Sequence, residues 1–125
     1  MIKKDLLYSK SHEWVKELED GIFEIGLTDH AQEALGDLVF VNLPQEGDEA
    51  EAGEPIADVE SVKAVSDVYS PVSGTICAVN EELLDAPELI NQNAYEAWLF
   101  RVENVTDKEE LLSAEQYEKF LSEEE

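Results

Sequence analysis

Two short strand-like stretches flank a polar tip in the segment Asp58-Val59-Glu60-Ser61-Val62-Lys63-Ala64-Val65-Ser66-Asp67-Val68-Tyr69. This pattern predicts a β-hairpin with Lys63 at its tip. A lysine in this position points its ammonium group outward on a flexible four-carbon stem, where a modifying enzyme can reach it. Taken alone, an exposed lysine ordinarily has no special role. Its surroundings in the sequence therefore decide how it is interpreted.

The charge distribution isolates Lys63. The 125 residues contain 31 Asp and Glu but 8 Lys and Arg, which gives a formal net charge of −23. Lys63 is the only Lys or Arg between positions 17 and 100, and the same 84 residues carry 20 carboxylates. Such a surface repels phosphate backbones and anionic lipid headgroups, so we expect neither a nucleic acid nor a membrane as partner. The acidic surface has two possible roles: it could steer the protein toward basic patches on its partners, or it could only keep the protein soluble.

Further strands are predicted on both sides of the hairpin. Alternation of Phe23, Ile25 and Leu27 with Glu24 and Gly26 is typical of a half-buried strand. The run from Leu38 to Leu43 is apolar on both faces, which predicts a more central strand. The other candidates are residues 56–60, 65–69, 75–79 and 98–102. Strands this closely spaced, separated by glycines and prolines, predict a small sandwich or barrel.

Helical signals are short. Asp29 with Gln32 forms a possible capping box, and Gly36 follows in a helix-ending position, which predicts a helix over residues 30–35. The same N-terminal signature recurs at residues 106–109 and at residues 113–116, so two C-terminal helices are predicted. Their apolar face would be supplied by Tyr117, Phe120 and Leu121.

No self-sufficient active site is evident. His12 and His30 are the only histidines and lack the spacing of a metal site, so we predict no metal. The single cysteine, Cys77, lies in an apolar alternation that predicts core packing, and it cannot form an internal disulfide. No apolar run approaches the roughly 18 to 20 residues of a membrane span, and no secretory signal is recognised. These features favour a cytoplasmic protein, and a mature organellar protein whose transit peptide has been removed would show the same features.

The segment around Lys63 resembles the lipoyl-attachment motif of the glycine cleavage system H protein family. The motif comprises Glu60-Ser61-Val62-Lys63-Ala64 and, after it, Tyr69-Ser70-Pro71-Val72-Ser73-Gly74. Similar family segments extend in order along nearly the whole chain. They include His12-Glu13-Trp14-Val15, Gly26-Leu27-Thr28-Asp29-His30-Ala31-Gln32, Leu35-Gly36-Asp37-Leu38-Val39-Phe40-Val41, Leu43-Pro44, Ala78-Val79-Asn80, Pro87-Glu88-Leu89-Ile90-Asn91 and Trp98-Leu99-Phe100.

The resemblance implies a fold. It is a mainly β, flattened barrel-sandwich hybrid of the lipoyl and biotinyl carrier type, with short flanking helices and C-terminal helices. Residues 1–125 would form a single lipoyl-carrier domain, with a core at about 12–103 and C-terminal helices at about 107–122. One departure from the family lies at residues 93–98, where a Pro-Tyr pair and one or two glycines are usual but absent here. We expect this loop to be shorter or differently bent.

The resemblance also implies a function. Lys63 would carry lipoic acid in amide linkage, with Glu60, Ser61, Val62 and Ala64 as attachment-motif neighbours. The chain would be a non-catalytic carrier that moves the aminomethyl group of glycine from a PLP-dependent glycine decarboxylase (P protein) to a tetrahydrofolate-dependent aminomethyltransferase (T protein). Dihydrolipoamide dehydrogenase (L protein) would then reoxidise it, and a lipoate ligase or octanoyltransferase would load it. A monomer is expected.

A cleft for the loaded arm follows from the same resemblance. The arm would reach roughly 14 Å from the lysine Cα, and its cationic amine would need a carboxylate in a place where water is restricted. We expect Glu13 and Asp67 to serve, with Ser11 or His12 nearby. The alternative interpretation is that these carboxylates are simply solvated.

Two further functions remain open from the sequence alone. The chain could be a lipoyl or octanoyl reservoir that donates to other lipoyl-dependent enzymes, or it could be an unmodified structural paralogue. The reservoir uses Lys63 in the same way as the carrier, so the sequence does not separate the two. The complete lysine motif argues against the unmodified paralogue. A biotin carrier is disfavoured because Val62 and Ala64 stand where methionines flank the biotinyl lysine.

Overall fold

Nine strands form two antiparallel sheets in the computed structural model, which describes residues 5–124. The strands are β1 Leu7–Tyr8, β2 Glu13–Glu17, β3 Phe23–Leu27, β4 Leu38–Asn42, β5 Glu49–Ala50, β6 Pro55–Ser61, β7 Val65–Tyr69, β8 Val72–Val79 and β9 Phe100–Lys108. One sheet has the order β1-β2-β3-β9-β8-β5 and the other has the order β4-β6-β7. This arrangement confirms the predicted mainly β sandwich, and the two sheets do not close into one barrel.

Short helices connect the strands. They are α1 Asp29–Leu35, α2 Glu82–Asp85, α3 Leu89–Gln92 and α4 Ala114–Glu124, with a 3-10 turn at Glu19–Gly21. The predicted helix at 30–35 is confirmed, but its cap is Thr28 rather than Asp29, because the Thr28 hydroxyl accepts the Ala31 N–H at 3.2 Å. Gly36 ends α1 with a φ of 85°, which is the left-handed conformation that glycine adopts readily.

Only one of the two predicted C-terminal helices is present in the described residues. The predicted helix at 106–109 is wrong, because Thr106 to Lys108 continue β9 and the pairing of this strand with β8 overrides a local capping pattern. The second helix is confirmed as α4. Its capping box is also observed, since Ser113 Oγ accepts the Gln116 N–H at 3.3 Å and Gln116 Oε1 accepts the Ser113 N–H at 2.9 Å.

The main core lies between the two sheets, and a second, largely aromatic cluster joins α4 to β1 and β2. The second cluster contains Leu6, Tyr8, Trp14, Ala114 and Tyr117. The prediction that Cys77 packs in the core is wrong. Cys77 lies on the face of β8 opposite to the buried Ile76 and is half-buried, while burial raises the pKa of its thiol. A reactive thiolate is therefore disfavoured.

The strand β4 lies at the edge of the three-stranded sheet, which corrects the prediction of a more central strand. Its side chains Val39 and Phe40 are each 52% exposed. The sequence shows that both faces of β4 are apolar, but it does not show that part of this apolar surface faces solvent.

The loop that departs from the family pattern forms a tight turn in which the N–H groups of Glu96 and Ala97 donate to the Asn93 carbonyl. Positive φ values among described non-glycine residues occur at His12 and Asn104, so this turn needs no glycine. Among residues 5–124, no helix combines the length and apolar character needed to cross a membrane.

Candidate functional site

The turn at Lys63 is shaped by the hydroxyl of Ser61. The strands β6 and β7 pair up to Glu60 and Val65, and the Ser61 N–H then donates to the Ala64 carbonyl at 2.8 Å. Ser61 Oγ accepts the backbone N–H groups of Lys63 at 3.2 Å and of Ala64 at 3.0 Å. A serine that accepts from residues two and three positions later is a common way to fix a turn. The Lys63 side chain is exposed at this tip.

The tip is anchored to the connection between α1 and β4. The Val62 N–H donates to the Asp37 carbonyl at 3.1 Å. A Cβ placed on Gly36 would lie 3.2 Å from Lys63 Cε, so the lysine stem passes directly over this glycine. Asn91 supports the same connection from α3, because its side chain donates to the Gly36 carbonyl at 2.8 Å and accepts the Leu38 N–H at 2.9 Å. Gly36 thus both ends the helix and leaves space beside the lysine.

An exposed apolar strip surrounds Lys63. It consists of Val39, Phe40, Val62 and Val65, whose exposed fractions are 52%, 52%, 70% and 68%. The strip lies on the strands of the small sheet and on the turn itself, and it stands within a strongly acidic surface. Glu60 pairs with both Phe40 and Val65, so an exposed carboxylate lies between them. Exposed apolar side chains grouped in this way commonly mark a surface that contacts another protein.

A buried carboxylate lies at the other end of β7. Glu13, the first residue of β2, is 1% exposed. Its Oε1 accepts the hydroxyl groups of Ser9 at 2.6 Å and Ser11 at 2.5 Å, and its Oε2 accepts the Tyr69 N–H at 3.4 Å. Burial raises the pKa of Glu13 to about 7, although these hydrogen bonds partly oppose the shift. The side chain is therefore not a solvated surface carboxylate.

This pKa predicts a specific pH dependence of stability. Between pH 4.5 and about 7 the folded state binds the Glu13 proton more tightly than the unfolded state does, so raising the pH favours unfolding. The loss of folding stability caused by ionising the buried Glu13 is absent below about pH 4.5 and complete above about pH 7. From pH 5 to pH 8, wild type should lose about 2 to 3 kcal/mol more stability than Glu13→Gln, because each pKa unit corresponds to about 1.36 kcal/mol. Urea unfolding of both proteins across this range measures the difference, and parallel stability curves would contradict the prediction.

A cleft of about 500 Å³ lies next to Glu13. It is lined by Lys10, Ser11, Gly53, Tyr69, Glu109 and Glu110. Two of these residues, Ser11 and Tyr69, donate hydrogen bonds to Glu13, so the buried carboxylate lies directly behind the cleft wall. Burial also raises the pKa of Glu109, which faces the same space. Lys10 and Glu110 form an exposed ion pair at 3.5 Å. The carboxylates of this cleft suit a cationic group.

The structure brings together some of the predicted cleft residues and separates others. Ser11 and Glu13 are in contact at the cleft. Asp67 is exposed on β7, on the same face of the strand as Tyr69, and it leads from Lys63 toward the cleft. The side chain of His12 points elsewhere: its Nδ1 lies 2.8 Å from the hydroxyl of Tyr117 on α4, and its ring centroid lies 4.7 Å from that of His30. Within residues 5–124, no cluster of three potential metal ligands is found.

Sequence reasoning missed three contributors to the site. Ser9 is buried and donates to Glu13, the backbone of Tyr69 holds the other carboxylate oxygen, and Glu109 lines the cleft. The spacing of Ser9, Ser11 and Glu13 is a local signal that could have pointed to a shared hydrogen-bond network. Glu109 gives no such signal, because 96 positions separate it from Glu13 in the sequence.

Comparison with known proteins places these features in a family context. The sequence model described as glycine cleavage H-protein matches residues 6–124. The chain is 58% identical over 123 residues to the glycine cleavage system H protein of Lachnoclostridium phytofermentans, covering 98% of this chain and 97% of the relative. It is 52% identical over 125 residues to the protein of the same name from Pseudoalteromonas translucida, with 98% and 97% covered. The crystal structure of a glycine cleavage system H protein from Mycobacterium marinum superposes with a TM-score of 0.88 at 40% identity, covering 98% of each chain.

Proposed function

The chain belongs to the glycine cleavage H-protein family, and on this premise we propose that Lys63 carries lipoic acid in amide linkage. The protein is the lipoyl carrier of the glycine cleavage system and is a non-catalytic component of it. When bound, lipoic acid supplies a dithiolane that accepts the aminomethyl group and two electrons. The observation that carries the proposal is the exposed lysine on a turn fixed by Ser61, with Gly36 leaving room beside it.

The spacing of residues along β7 fits a lipoyl arm. Lys63 and Asp67 are four residues apart, and a strand rises about 3.3 Å per residue, so about 13 Å separate their Cα atoms at most. The arm reaches roughly 14 Å from the lysine Cα. Its end can therefore lie beside Asp67. The cleft at Tyr69 begins two residues, about 7 Å, further along the strand, and the aminomethyl group carried beyond the dithiolane would extend toward it.

In this proposal, Ser11, Glu13 and Asp67 hold the cationic amine of the cargo. Ser11 Oγ can accept a hydrogen bond from the amine while it donates to Glu13, so the amine contacts the buried carboxylate through one hydroxyl. A cation in the cleft favours the ionised carboxylate and lowers its pKa from about 7. Glu109 adds a second carboxylate to the same space. His12 would act on this site indirectly.

The remaining neighbours of Lys63 are proposed to serve recognition by partners. The carrier interacts with other components of the glycine cleavage system. We propose that these are glycine decarboxylase, aminomethyltransferase and dihydrolipoamide dehydrogenase, with a lipoate ligase or octanoyltransferase for loading. Each must bring its active site to Lys63, and the exposed apolar strip is the surface that such an approach would cover first. Val62 belongs to this strip, Glu60 and Ala64 are exposed beside it, and Ser61 fixes the turn.

Replacing both valines of the strip should weaken docking. In the lipoylated double variant Val62→Ser/Val65→Ser, we expect the KM for this carrier in the glycine decarboxylase reaction to rise about tenfold or more, because burying a valine side chain contributes about 1.5 kcal/mol or more. Steady-state kinetics with the carrier as the varied substrate measure the effect, after intact mass has shown full loading. Leu7→Ser is the matched control, because Leu7 is 42% exposed but lies on β1 in the other sheet. An unchanged KM in the double variant would show that the strip does not dock.

A two-stage experiment tests the proposed function. Incubation with lipoate, ATP and a lipoate ligase should raise the intact mass by one lipoyl group. The loaded protein should then support exchange of carbon dioxide with the carboxyl group of glycine when glycine decarboxylase is added. Loading without exchange would favour the lipoyl reservoir, and no loading would favour an unmodified paralogue.

A further inference from the structure

The turn that leads into Glu13 has an unusual backbone. The strands β1 and β2 are joined by Ser9 to His12, and the Ser9 N–H donates to the Glu13 carbonyl at 2.9 Å. His12 closes this turn with a φ of 72°, a left-handed conformation that residues other than glycine adopt rarely. The turn supplies the two serine hydroxyl groups that hold the Glu13 carboxylate. The conformation of His12 therefore sets where these hydroxyl groups lie.

The C-terminal helix contacts this turn through the Tyr117 hydroxyl and through the Phe120 ring, whose centroid lies 6.0 Å from that of His12. The Tyr117 hydroxyl lies 2.8 Å from His12 Nδ1 and 2.9 Å from Thr28 Oγ1. Thr28 in turn caps α1, and its N–H donates to the His12 carbonyl at 3.1 Å. Tyr117 is completely buried, and its ring stacks on Tyr8 with a centroid separation of 4.6 Å and an interplanar angle of 5°. One hydroxyl thus joins α4, the turn at 9–12 and the start of α1.

We propose that Tyr117 is a positioning residue for the amine site: its hydroxyl holds His12 in the left-handed conformation and so keeps Ser9 and Ser11 on Glu13. Neither His12 nor Tyr117 lines the cleft, so Tyr117 acts through His12 and does not touch the cargo. The effect of Tyr117 on the lifetime of the loaded cargo rests on the proposed function. The effect on Glu13 itself does not require a lipoyl group.

The variant Tyr117→Phe removes the hydroxyl and keeps the ring stacked on Tyr8. In the unlipoylated protein we expect the titration midpoint of Glu13 to move up from about 7, because a displaced turn withdraws the serine hydrogen bonds that lower the pKa of this carboxylate. Carbon-13 NMR of labelled glutamate follows this titration, and the signal is identified by its absence in Glu13→Gln. In the loaded carrier, the half-life of the aminomethyl adduct should shorten about fivefold. This factor corresponds to the loss of one neutral hydrogen bond.

Tyr95→Phe is the matched control. Tyr95 packs against the same aromatic cluster, and its hydroxyl accepts the Asp29 N–H at 3.5 Å and hydrogen-bonds Tyr8 on β1, outside the turn at 9–12. If Tyr117→Phe fails to fold, His12→Phe removes the same contact from the other side. The same changes in the Glu13 titration and in the adduct half-life are then expected.

A Glu13 titration that matches wild type in the folded variant would overturn the inference, even if the melting temperature falls. Failure of wild type to be lipoylated would instead overturn the proposed function, and the titration would still decide the role of Tyr117.

Discussion

Lys63→Arg is expected to abolish lipoylation and all carrier activity. Arginine keeps the charge and much of the length of the side chain, so the turn held by Ser61 should persist. The guanidinium group stays protonated at any accessible pH and cannot form the amide bond. The variant should therefore show no gain of mass after treatment with lipoate ligase and no glycine exchange above background.

Lys16→Arg is the control for this change. Lys16 is exposed on β2, within the other sheet, and its replacement makes the same chemical change far from the hairpin in sequence. It should be loaded and should act like wild type. Loading of the Lys63→Arg variant to the wild-type extent would place the attachment point on another lysine.

Glu13→Gln is expected to shorten the half-life of the aminomethyl adduct ten- to hundredfold at neutral pH. A hydrogen bond to a charged group contributes about 1.5 to 3 kcal/mol, and the neutral amide removes that charge from behind the cleft. The amide oxygen can still accept from Ser9 and Ser11, so the turn should keep its shape. Release of ammonia from the isolated, loaded carrier measures the half-life.

Glu17→Gln is the corresponding control, because Glu17 lies on the same strand as Glu13 but is exposed. Its adduct should decay at the wild-type rate. Equal lifetimes for the Glu13→Gln variant and wild type would show that the buried carboxylate takes no part in protecting the cargo. The cleft would then need another explanation.

The hairpin and its lysine could be predicted from the sequence because their signals are local. Strand-like stretches on both sides of a short tip place Lys63 at a turn, and the structure has that turn between β6 and β7. The failed prediction at 106–109 has the same origin. A Thr-x-x-Glu pattern favours a helix start locally, but the pairing of β8 with β9 is a long-range interaction that the pattern does not contain.

The buried state of Glu13 could not be predicted, because it depends on contacts between distant segments. The resemblance to the family pointed to this residue, but composition alone favoured a solvated carboxylate in so acidic a chain. Its partner Tyr69 is 56 positions away in the sequence. The neighbouring residue, His12, contacts the hydroxyl of Tyr117, which is 105 positions from His12. Only the packing of β7 and α4 against the turn at 9–12 shows that the Glu13 side chain is buried.

The most direct test of the lipoyl carrier is to locate the modification itself. Fragmentation mass spectrometry of the ligase-treated protein should find one lipoyl group, on the peptide that contains Lys63 and on that lysine alone. Lys63 is the only lysine between positions 17 and 100, so a peptide from this stretch gives an unambiguous result. A lipoyl group on any other lysine, or an unmodified Lys63 after complete treatment, would contradict the proposed attachment site.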